Sequence, residues 1–149
     1  MHRPALAEAA VHGDAVLLAL AADAACAVVG QPAPCSPGGS CSTARTVPMR
    51  PGDGGPEPSG HGALRLAAAA PGAHLAKVSG LVHESIRTLD EPVFEGAPLA
   101  VPFAADAPEA VRLTTELITG MGCTPLPCGG LSRAPLLEVA TALFAIGVW

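Results

Sequence analysis

The sequence predicts an α/β fold, a partial doubly wound parallel sheet with helices on both faces. Three observations predict it. Short apolar runs suited to strands covered on both sides alternate with segments of helical period. Residues 98–128 read as a complete strand–helix–strand unit. Half of the 149 residues are apolar but only 3% are aromatic, so alanine, leucine and valine must fill the interior. Small side chains of that kind suit helices lying close on a sheet.

In chain order, residues 4–11 have helical composition and end near His12-Gly13. Residues 15–20, AVLLAL, read as a buried strand after the Gly13-Asp14 turn, and 22–29 resume helical spacing. Between 30 and 62 the character changes, with eight glycines and seven prolines in 33 positions. Such a segment buries too little apolar surface to offset its ordering entropy, and only 43–49 could add a strand there. Ser59 can cap a helix over 63–70, stopped by Pro71-Gly72, and 73–78 read as the next strand. A polar loop or short helix over 79–88 and a turn-rich stretch over 90–96 lead to the strand at 99–104.

Asp106 stands where an N-cap belongs, with Glu109 three residues on to reach back and Pro108 in the first turn. Ala110, Val111, Leu113, Leu117, Ile118 and Met121 then give one apolar helix face, ended by Gly120 and Gly122. Residues 123–128 offer an extended segment, Gly129-Gly130 a tight loop, and Pro135 the first turn of a closing helix. The length suits one domain over 1–149.

A formal charge of −5, with no Lys/Arg cluster, argues against a nucleic-acid partner. Glu8 and Asp14 interrupt what would be the core of a signal peptide, so a cytoplasmic protein is expected. The apolar last sixteen residues are too few for a membrane span, which takes roughly 20. Five cysteines form no CxxC pair and read as reduced thiols, with no metal site.

No G-x-G-x-x-G, P-loop, G-x-S-x-G or HExxH motif occurs. Gly52-Asp53-Gly54-Gly55 lacks a preceding strand and reads as loop rather than phosphate cradle. His83-Glu84-Ser85 sets imidazole beside carboxylate without a placed nucleophile, so no catalytic residue is assigned. Lys77 stands at a strand end, where open α/β sheets bind ligands, although a lysine that snorkels to the surface is the commoner case. Arg133 could meet a phosphate or pair with Glu138.

Several stretches together resemble the deazaflavin-dependent NADP reductases, small dinucleotide-binding enzymes of Rossmann type. They are EAAVHGDAVLLALAADAACAVV, GALRLAAAAPGAHLAKV, Leu89-Asp90-Glu91 leading into LAVPFAADAPEAV, and CTPLPCGGLSRAPLLE. The resemblance covers about two thirds of the chain and rests on the order of the pieces. It implies hydride transfer between NADP(H) and a deazaflavin coenzyme or similar acceptor. The family's glycine-rich first third has no counterpart here, and Pro135 stands where a basic residue is common. A truncated or frame-shifted gene would account both for that and for the odd segment at 30–62. By the same resemblance Leu20, Ala21, Ala22, Thr46 and Pro48 would line the nicotinamide, and Lys77, Ser79, Gly80 and Leu81 the acceptor. Cofactors would then supply the chemistry and the protein the positioning. The competing expectation is a non-catalytic remnant that forms a homodimer through its apolar C-terminal helix.

Overall fold

A computed structural model describes residues 14–20, 22–29, 40–43, 61–78 and 92–148, with side chains as far as 142 except in 40–43. The elements run β1 (Ala15–Leu18), α1 (Ala22–Val29), β2 (Ser40–Thr43), α2 (Gly62–Ala69), β3 (His74–Val78), β4 (Val93–Phe94) and β5 (Ala97–Pro98). They continue with β6 (Ala100–Ala105), α3 (Pro108–Gly120), β7 (Thr124–Pro127), a 3-10 turn at Leu131–Arg133 and α4 (Ala134–Val148). Five strands form one sheet in the order β1-β2-β3-β6-β7, and β4 and β5 pair as a separate hairpin.

Alternation along each strand divides the core in two. On the first face Leu18, Leu75 and Ala104 meet Ala25 and Val29 of α1, Ala63 and Leu66 of α2, and Ala134 and Leu137 of α4. On the second face Ala76, Val101, Phe103 and Ala105 meet Ala110 and Ile118 of α3. The many alanines let these helices approach the sheet, so Phe103 is the largest fully buried side chain. This is a Rossmann-like layering, helices on both faces of a sheet in which three of the four pairings are parallel.

The remaining pairing is the antiparallel one in a sheet that is, as expected, mostly parallel. β3 and β6 are antiparallel, with Val78 opposite Phe103 and Ala76 opposite Ala105. A parallel neighbour would need a crossover, usually a helix. Just before β6 the chain forms the β4–β5 hairpin, closed by Leu99 N–H donating to Pro92 O at 2.8 Å. The stretch 90–96, read as turns, therefore contributes a strand as well, with its turn at Glu95 (φ 50) and Gly96 (φ 83).

Two capping expectations are also corrected. Ala107, not Asp106, is the N-cap of α3, and no side chain caps it; Glu109 does not reach back but binds Arg112. Arg112 also bonds Glu116, a surface network along the helix. Asp106 Oδ1 accepts instead from the Leu131 amide at 3.0 Å, tying the end of β6 to the turn that starts α4. Helix α2 begins at Gly62 behind His61, which makes no side-chain cap, and Ser59 lies outside the described residues. The strand anticipated over 43–49 is described only as Ser40–Thr43, and 44–49 lie outside the described residues.

Gly120 closes α3 with no atom within 4 Å of where a Cβ would stand, and its φ is not positive. Gly120→Ala is therefore expected to stabilise the fold by about 0.5–1 kcal/mol, because alanine loses less backbone entropy in a helix. Urea unfolding checks this. A loss of stability would show that the last turn of α3 needs glycine.

Candidate functional site

In the parallel half of the sheet Leu18, Thr43 and Lys77 stand in one row, the last or next-to-last residues of β1, β2 and β3. The carboxyl ends of three adjacent strands therefore share one edge, the edge at which open α/β sheets take ligands. The residues anticipated for the site follow these ends. Leu20 and Ala22 continue from β1 into α1, Leu20 being 39% exposed and Ala22 partly buried. Ala21, Thr46, Pro48, Ser79, Gly80 and Leu81 lie outside the described residues, as do His83-Glu84-Ser85 and Gly52-Asp53-Gly54-Gly55.

Lys77 is only 3% exposed, so it does not snorkel. Its side chain points to the first face, where Nζ lies 4.0 Å from Glu138 Oε1 of α4. Glu138, itself buried, uses both carboxylate oxygens on the start of α2. Gly62 N–H donates to Oε2 at 3.1 Å and Ala63 N–H to Oε1 at 3.0 Å. Helix α2 would otherwise begin with orphaned amides at the positive end of its dipole, and an internal carboxylate satisfies them. Gly62 leaves the room: a Cβ there would come within 3.2 Å of Oε1. Burial lowers the Lys77 pKa below the ordinary lysine value, and Glu138 offsets part of the fall.

This constellation was only partly legible. Lys77 stands out in the sequence for its place on the strand, but Glu138 reads there only as a partner of Arg133. The structure gives Glu138 to Lys77 and α2, while the Arg133 stem packs where a Gly129 side chain would stand. An acidic residue inside an otherwise apolar helix was the available signal, since such a carboxylate needs a buried partner.

Chemically, the α2 terminus and Lys77 form an anion site that the chain's own carboxylate occupies. The first two helical amides, the donors a phosphate would use, are taken. They do not fit a dinucleotide phosphate at that position. No group of three or more potential metal ligands occurs among the described residues. Cys26, Cys123 and Cys128 are free thiols.

The second face carries a groove of about 840 Å³ between β1 and α3, lined by Ala15, Leu17, Val78, Val101, Thr114 and Leu117 among others. Thr114, 1% exposed, has no hydrogen-bond partner for its hydroxyl. No described helix is long and apolar enough to cross a membrane.

The fold and its strand-end edge define the class as a Rossmann-like α/β fold. One solved structure of similar fold is a protein from Arthrobacter sp. FB24 provisionally named an F-420-dependent NADP reductase. It is 16% identical, with a TM-score of 0.69 over 96% of this chain and 65% of that one. Another is the hypothetical protein SMa0349 from Sinorhizobium meliloti, 21% identical, with a TM-score of 0.67 over 86% of this chain and 62% of that one. The chain thus spans somewhat under two thirds of the length of both proteins. No protein-family model and no curated protein matches it.

Proposed function

We propose that the chain derives from an NADP(H)-linked oxidoreductase that passes hydride to or from a deazaflavin or similar acceptor. The observation that carries this reading is the fold likeness over 96% of the chain to a protein named for that activity. The shared edge at Leu18, Thr43 and Lys77 supports it, because Leu20 and Ala22 continue from its β1 end. On this reading NADPH loses a hydride, the acceptor gains it, and the protein holds the two rings together. Leu20, Ala21, Ala22, Thr46 and Pro48 are assigned to the nicotinamide side.

A second reading, a non-catalytic member of the same fold, is favoured by one observation. One described helix terminus at the strand-end edge, that of α2, is already neutralised from inside by Glu138. Titration with NADPH, followed by Trp149 fluorescence and thermal stability, separates the two. A saturable rise in melting temperature at micromolar NADPH is expected for the enzyme reading, since a ligand stabilises the state it binds. No shift at millimolar NADPH leaves the second reading. Cytoplasmic placement and self-association through α4 belong to these proposals too. For the latter, Leu136 is the exposed apolar side chain on the described part of the helix.

A further inference from the structure

We draw no further inference here: the strongest candidate, the apolar groove on the second face between β1 and α3, is lined by the exposed side chains of Leu17, Leu117 and Met121, and nothing in the structure shows what covers it.

Discussion

Glu138→Ala is expected to destabilise the chain by about 3–5 kcal/mol, the usual cost of removing one partner from a buried charged pair. For a chain of this length that lowers the melting temperature by on the order of 10 °C. The reason is specific. The substitution leaves the Gly62 and Ala63 amides without this acceptor and removes the carboxylate 4.0 Å from the buried Lys77 Nζ. Lys77→Met in the same background should recover part of the loss, because it removes the buried cation while keeping the packing of the stem. Glu138→Gln should fall between, since an amide oxygen can accept one of the two N–H groups but its NH₂ faces donors. A urea-unfolding cycle of the four proteins measures the coupling. Additive effects of the two substitutions would show that the carboxylate and the ammonium do not act together.

The same pair sets a pH dependence whose sign follows from burial. The folded pKa of Lys77 lies below the value of 10.5 that an exposed lysine has. Between the two values the unfolded chain binds more protons than the folded one, so stability rises with pH across that interval. Below the folded pKa the lysine is charged in both states and the full penalty of burying it applies. Lys77→Met should flatten the rise, so the stability difference between wild type and variant changes with alkaline pH in favour of the wild type. Parallel pH profiles would remove the buried ammonium from the account.

Gly130→Ala carries the next largest effect, about 1–3 kcal/mol of destabilisation. The backbone angles of Gly130, φ −68 and ψ 169, suit any residue, so the cost does not come from conformation. It comes from space, since a Cβ there would overlap Asp106 Oδ1, the oxygen that accepts from Leu131 N–H. Displacing Asp106 frees the turn that leads into α4. Asp106→Ala should cost a similar amount, and the double variant little more than either, because both act on one contact. Thermal melts of the three variants check this. A Gly130→Ala protein as stable as wild type would mean that the carboxylate turns aside freely.

Much of the architecture was legible because it depends on local periodicity. The helices at 22–29 and in the 98–128 unit, and the strands at 15–20, 73–78 and 99–104, were read from apolar spacing and stop residues, and the structure places elements at each. The strand–helix–strand unit was legible in outline but not in its fastening. Asp106 has the residue type and spacing of an N-cap, yet its carboxylate turns to Leu131, 25 residues away. Local rules could not see a competitor from α4. Of the candidate site, Leu20, Ala22 and Lys77 fall among the described residues, at or just past the strand ends. The burial of Lys77 was not visible, because a lysine at a strand end reads the same whether or not a helix covers it.

By itself the sequence determined what each segment could be: which stretches bury a face, where helices stop, and that the interior must be built from small aliphatic side chains. Tertiary structure alone decided how those segments are joined. It set β6 antiparallel to β3, with the β4–β5 hairpin just before β6. It also brought Glu138 across to the start of α2, 75 and 76 residues away in sequence, where two amides and a buried ammonium hold it. The physical reason is range. Propensity and periodicity act over one or two turns of chain, whereas a buried charge finds its partner wherever packing excludes water.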